Sequence, residues 1–368
     1  MLDFYYSLNF MFKKKISTTS FYILFLIIFI FFIKFSTEKV LANSYKVSDI
    51  EISEPYNINF SKEKVIDIAF RNAFEELIFT LLTSENYYLN KNVNMKLIKS
   101  LIDSFSIVDE KFIDKKYFAN FEVNFDKKAV LNYLYKNNIY ASIPKKKKLF
   151  LLPILVNTNQ SEVSLLSENP FYLYWNKFDK KYHLLDYVLP NEDLDDLNII
   201  KDNVYNLEEY EFKEIINKYQ LNDYIIVILF KNKKNLRVLT RIKFNNKFIL
   251  LNESFETTNM EENKIENIIN NLKTSYENNW KKINLVNTSI KLPITISIES
   301  SKYSLIKKFE NKIENMDLVY NYYIDSFSNN EIIYKIVYNG TPNKFLEEFD
   351  SDNFNVDLAN NVWKINEN

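Results

Sequence analysis

Apolar positions recur along the chain in blocks whose spacing switches between two and about 3.6 residues, the periods of strand and helix. The densest block runs from Lys145 to Asp196. There, Lys145–Lys148 lead straight into Leu149–Val156, a continuous apolar run of the length expected for a strand buried on both faces. It is read as the central strand of a middle domain spanning residues 145–283. The lysines are read as its solvated lead-in, because no further basic or aromatic cluster follows.

An earlier domain is expected over residues 45–140. Tyr45, Val47, Ile50 and Ile52 alternate imperfectly, which predicts a strand with a bulge or shift. Ser61 is a plausible N-cap for a core helix with Val65, Ile66, Ala69, Phe70, Ala73, Phe74, Leu77, Ile78, Leu81 and Leu82 on one face. A shorter helix is predicted over Asn94–Phe105, paired strands over Ile107–Ile113 and Tyr117–Phe125, and a closing helix over Asp126–Asn137.

Within the middle domain a polar loop is expected over Asn157–Glu168, and Asn169-Pro170 opens a short helix. Phe171, Tyr172, Tyr174, Trp175 and Phe178 give that helix an aromatic face, read as core packing, with a stacking platform for a sugar or peptide as the alternative. A strand-like segment Tyr182–Leu189 holds His183, the only histidine. Asp223–Phe230 reads as a second buried strand, Leu236–Phe244 and Lys247–Phe255 as a hairpin, and Met260–Lys282 as a helix.

A last segment, residues 288–368, alternates as strand Ile290–Ile298, helix Lys302–Asn315, strands Leu318–Phe327 and Ile332–Tyr338, a helix opened by Thr341-Pro342, and a terminal strand or hairpin over Phe354–Ile365. That βαββαβ order is ferredoxin-like. The fold class expected overall is α+β, with small α/β domains in series.

Composition changes the picture in one respect. Aromatics make up 16% of the chain, yet Gly340 is the single glycine, a bias of the kind an A+T-rich genome encodes. Turns that need φ > 0 must then fall to Asn and Asp, and Asn245-Asn246 and Asn329-Asn330 are the expected sites. Gly340 itself, where a strand turns into a helix, is expected to have φ > 0.

The N-terminus has an export pattern. Lys13–Lys15 precede the apolar run Phe21–Ile33, and Val40-Leu41-Ala42 follows as a cleavage site. The run is shorter than the ~20 residues of a spanning helix, so residues 1–42 are read as a signal peptide cleaved near Ala42, with an inner-membrane anchor over residues 16–33 as the alternative. Translation from Met11 would give a more ordinary signal. A periplasmic protein with no cysteine rests on its cores alone. Its mature body is mildly acidic with mixed signs, which gives no reason to expect a nucleic-acid partner.

Motifs that would carry chemistry are scarce. One glycine excludes a P-loop, a GxGxxG turn and a GxSxG elbow, and one histidine with no cysteine excludes thiol catalysis and HExxH or thiolate metal centres. Glu192, Asp193, Asp195 and Asp196 could bind Ca²⁺ or supply paired carboxylates, but acids after Pro190-Asn191 are also what a helix N-terminus prefers. A Ser–His–Asp arrangement through His183 and Asp186 would need a serine placed by the fold.

Several stretches resemble the DUF2066 family of exported proteobacterial proteins, of alphaproteobacterial type. They are YKVSDIEI (Tyr45–Ile52), AFRNAFEELIFTLL (Ala69–Leu82), LFLLPILV (Leu149–Val156), NPFYLYW (Asn169–Trp175), VLPNEDLDDL (Val188–Leu197) and the near-terminal Val362-Trp363. The resemblance implies export and supplies no catalytic residue. The reading of the whole is a non-enzymatic binding or scaffolding component of the cell envelope with a protein partner there, no cofactor, and membrane contact only through an uncleaved N-terminus. A carboxylate-dependent hydrolase of envelope glycans or peptides and a small-ligand-binding protein are the alternatives.

Overall fold

The computed structural model describes residues 44–87, 93–158, 162–180, 182–256, 260–287, 290–350, 354–358 and 362–367. The export-signal reading of residues 1–42 lies outside them. Helix and strand alternate through three sheets that follow one another along the chain.

In the first sheet, β1 (Ser44–Pro55) and β2 (Ile102–Ile113) flank β3 (Lys116–Asp126), all antiparallel. The imperfect alternation of β1 is a register shift between Val47 and Ile50, with Asp49 at φ 58°. Helix α1 (Lys62–Leu81) starts as expected, with Ser61 accepting the Lys64 N–H, and buries Phe70, Phe74 and Leu77 against the sheet. A short α2 (Ser84–Tyr87) follows. Helix α3 (Met95–Leu101) ends four residues before the expected Phe105, because Ile102 already pairs with Phe125. Helix α4 (Lys127–Lys136) closes this part, capped by Asp126.

The central sheet has the order β5-β4-β7-β8-β9, with β6 beside β4. Strand β4 (Lys147–Asn157) runs parallel to β6 (Leu185–Val188) and β7 (Tyr224–Lys231). Successive β4 side chains enter different cores. Leu149 and Leu151 pack with Phe171, Trp175 and Trp280, whereas Phe150, Leu152 and Ile154 pack with Ile200, Phe212 and Ile215. Helices α5 (Pro170–Tyr174) and α8 (Glu262–Ile283) thus cover one face, and α6 (Leu194–Asp202) and α7 (Lys213–Lys218) the other. This double cover is why β4 reads as apolar throughout. Lys145, Lys146 and Lys148 are solvated as expected, but Lys147 forms an ion pair with the buried Asp223.

The expected loop after β4 instead contains a short edge strand, β5 (Glu162–Ser164), and a 3-10 turn at Leu166–Glu168. Three residues of pairing leave too little periodicity to read. The strand expected over Tyr182–Leu189 shortens to β6, so His183 lies in the turn before it. Strands β8 (Asn235–Phe244) and β9 (Lys247–Glu256) form the expected hairpin, with Asn245 and Asn246 at φ 47° and 64°. Asp114 and Lys115 do the same between β2 and β3, at φ 50° and 57°. Asn329-Asn330, expected to match them, has no positive φ.

The third sheet orders as β11-β12-β10-β14-β13. It comprises β10 (Leu292–Glu299), β11 (Val319–Phe327), β12 (Glu331–Tyr338), β13 (Phe354–Asp357) and β14 (Trp363–Glu367), with α9 (Tyr303–Asn315) and α10 (Pro342–Asp350). The terminal segment is a hairpin whose second strand, β14, lies parallel to β10.

Gly340 does not have the positive φ expected of it. Its role is steric: a Cβ would sit 2.6 Å from Cε1 of Tyr338, a fully buried ring, and 3.3 Å from Leu318 Cδ1. Gly340→Ala is therefore expected to destabilise by about 1–3 kcal/mol through overpacking, measured by urea unfolding. A neutral result would mean that the Tyr338 ring can yield.

Candidate functional site

The acidic cluster is absorbed by the start of α6. Asp193 is the N-cap, its Oδ1 accepting the Asp195 N–H at 2.9 Å. Lys218 Nζ then donates to Asp193 Oδ2 at 2.7 Å and to Asp196 Oδ1 at 2.6 Å. The Lys218 hydrogen bond holds the Asp193 carboxyl below the ordinary range. A catalytic acid needs the opposite displacement. Glu192 and Asp195 are exposed, and among the described residues no group of three or more His, Asp or Glu is placed to hold a metal ion.

The aromatic helix faces inward. Phe171 and Trp175 are fully buried, Trp175 stacking on Tyr276 at 6.2 Å between ring centroids. Asn169, also fully buried, caps Phe171 N and donates to the Pro153 carbonyl, which fixes α5 to β4. Tyr174 and Phe178 are half-buried beside the same core, and the Tyr172 hydroxyl donates to Pro190 O.

A third group was not singled out in the sequence. Lys273, Glu277 and Lys281 are buried on α8, in line with Ile265 and Ile269 at intervals of four residues. That alignment was the available signal, and it was masked because helix charges ordinarily face water. Glu277 Oε1 accepts the N–H groups of Leu184 and Leu185 at 2.8 Å each, while its Oε2 is buried without a partner. Lys281 Nζ donates to the Phe79 carbonyl on α1, and Lys273 pairs with Asp179. Burial raises the Glu277 pKa and lowers those of both lysines. His183 is half-buried in the same place, its Nδ1 accepting the Lys180 N–H at 3.3 Å rather than an Asp186 partner. Burial, then Lys273, press its pKa down to about 4.

The fourth feature is concave. A cleft of about 680 Å³ opens between α7 and the outer end of the β7–β9 strands, lined by Ile216, Tyr224, Arg241, Lys243, Phe248 and Leu250 among others. The helices of this face stop short of β9, leaving Phe248 and Leu250 73% and 66% exposed. Lys243 pairs across the strands with Phe248, and Arg241 with Leu250. The unbroken apolar run Phe248–Leu251 was the sequence signal here, since an edge strand with one wet face should alternate.

Two measurements check the buried polar groups. Neutral His183 is favoured in the fold, so the unfolded chain binds its proton more tightly between about 4 and the ordinary value near 6.5. His183 therefore removes stability as pH falls through that window. Melting temperature against pH is expected to drop less steeply for His183→Gln than for the natural chain. Glu277→Leu orphans two amide N–H groups and should cost about 2–6 kcal/mol in denaturant unfolding, with Glu277→Gln far milder because it keeps the acceptor.

No protein-family model matches the chain, and no curated protein is similar to it. Solved structures that resemble it include a crystal structure of an uncharacterized protein, at 4% identity and TM-score 0.19, covering 38% of this chain and 91% of that one. A likeness at that score carries no argument about fold or function.

Proposed function

We propose that the chain is an exported, periplasmic, non-catalytic binding or scaffolding component of the cell envelope. The carrying observation is that, among the described residues, Asp193, Asp196 and His183 are engaged in holding the fold, while large apolar side chains stand in solvent at the β2–β3 hairpin. Asp193 and Asp196 grip Lys218, and His183 is half-buried with its Nδ1 accepting the Lys180 N–H. Against this, Val108, Phe112 and Ile113 are 65%, 58% and 52% exposed along one stretch of β2. Apolar groups gathered in this way mark interaction surfaces more often than isolated ones do. The hydrolase alternative is disfavoured by the direction of the Asp193 pKa.

In this reading residues 1–42 are a signal peptide cleaved near Ala42, and segments 45–140, 145–283 and 288–368 are domains in series, of the exported DUF2066 type. The last is taken as a ferredoxin-like unit extended by a hairpin. What supports that is the order β11-β12-β10-β14. The parallel pairing of β14 with β10 is a departure from it.

The test is cross-linking in cells with the tagged full chain, photo-reactive residues replacing Val108 or Phe112, and a control at the exposed Glu209. A reproducible envelope-protein adduct at the hairpin positions alone is expected. A chain recovered without adduct from both positions, over several linker lengths, would overturn the reading.

A further inference from the structure

The cleft beside β9 lies in the central sheet, away from the hairpin, and its chemistry points to a different kind of ligand. Its volume, about 680 Å³, falls in the range of small-molecule sites. Three cations, Lys213, Arg241 and Lys243, and one carboxylate, Glu211, line it. Glu211 forms an ion pair with Lys213 and acts on Arg241 only at longer range, and among the described residues neither Arg241 nor Lys243 has a carboxylate within ion-pair distance. Lys243 Nζ instead lies 5.8 Å from the centroid of Tyr224 and 5.9 Å from that of Phe248. Such contacts leave an ammonium its full charge.

Arg241 is held in place by the protein. Its guanidinium donates to the carbonyls of Leu207 and Tyr210 at 3.3 and 2.6 Å and lies 5.2 Å from the Phe212 ring. Its Nε is buried without a hydrogen-bond partner. Phe212, fully buried, holds a left-handed backbone at φ 53° between the cleft residues Glu211 and Lys213. A left-handed backbone is a strained one for a bulky non-glycine residue. The cations sit directly across the strand ladder from Phe248 and Leu250, so positive charge and open apolar surface alternate within one pairing step.

We propose that this cleft binds a monomeric anionic amphiphile of the acyl-carboxylate class, its head between Arg241 and Lys243 and its chain over Phe248 and Leu250. A purely apolar ligand would leave the excess of positive charge in the cleft, three cations against Glu211, unbalanced, and a hydrophilic anion would leave the two apolar side chains in water. Affinity therefore requires both parts of the ligand. This inference does not depend on the hairpin partner, and either can fail alone.

Isothermal titration of the purified protein with dodecanoate below its micelle concentration tests it. The expected result is 1:1 binding, weakened at least tenfold in Lys243→Gln and in Phe248→Ser, unchanged in Lys146→Gln, and at least tenfold weaker for dodecyltrimethylammonium. Both informative variants alter exposed or half-exposed side chains, and their melting temperatures report whether folding is intact. Equal binding of the two amphiphiles, undiminished binding in Lys243→Gln, or no dodecanoate binding would overturn the proposal. Co-sedimentation with phosphatidylglycerol vesicles without binding of the monomer would also overturn it, in favour of a membrane surface.

Discussion

Helix α8 is the element on which the other parts of the fold depend. One side of it completes the central core through Ile265, Ile269, Leu272, Tyr276 and Trp280. Its C-terminal half also reaches the first sheet's helices: Asn278 exchanges hydrogen bonds of 2.8 Å with the Ser84 backbone and hydroxyl, and Lys281 donates to Phe79 O. Trp280 Nε1 donates to Lys145 O, and the Asn284 carbonyl just beyond the helix accepts from Ile143 N. A helix with an apolar side along its whole length and polar contacts on another side of its C-terminal half can seal a core and fasten a neighbour at once. The fastening costs desolvation, because taking a charge out of water is expensive even when it finds a partner.

That cost is consistent with a chain that has no cysteine to cross-link it. Its alternatives are cores and directional polar contacts. The buried Asp223 shows how economical these are, taking the Asn245 N–H at 2.7 Å and the Lys147 ammonium together. One carboxylate thereby anchors both the β8–β9 turn and the start of β4. The glycine shortage works in the same direction. Asp and Asn, with a lysine at position 115, carry the left-handed conformations of two hairpins, and the lone glycine is kept for a point where a side chain would strike Tyr338. Backbone strain is thus spread over non-glycine residues, Phe212 among them.

The sequence by itself determined the elements whose periodicity is long and whose ends are chemically marked. Ser61 and Asn169 cap the helices predicted to follow them, Asn94 and Asp126 cap helices predicted to begin at them, and the alternation of Tyr117–Phe125 gives the buried side of β3. Patterns of this kind are local, so neighbours in sequence suffice to impose them. It also determined that the acids near Asp193 start a helix, because an N-cap needs only the next turn.

Tertiary structure alone decided the rest, wherever the cause was distant in sequence. Ile102 became strand because Phe125 pairs with it, and Glu162–Ser164 became strand because β4 offers an edge. The need for glycine at position 340 follows from a ring packed against it, and the burial of Lys273, Glu277 and Lys281 follows from what α8 meets. The cleft depends on where α7 ends relative to β9. Composition and spacing carry no record of such distances, because they arise only when separate segments compete for the same space.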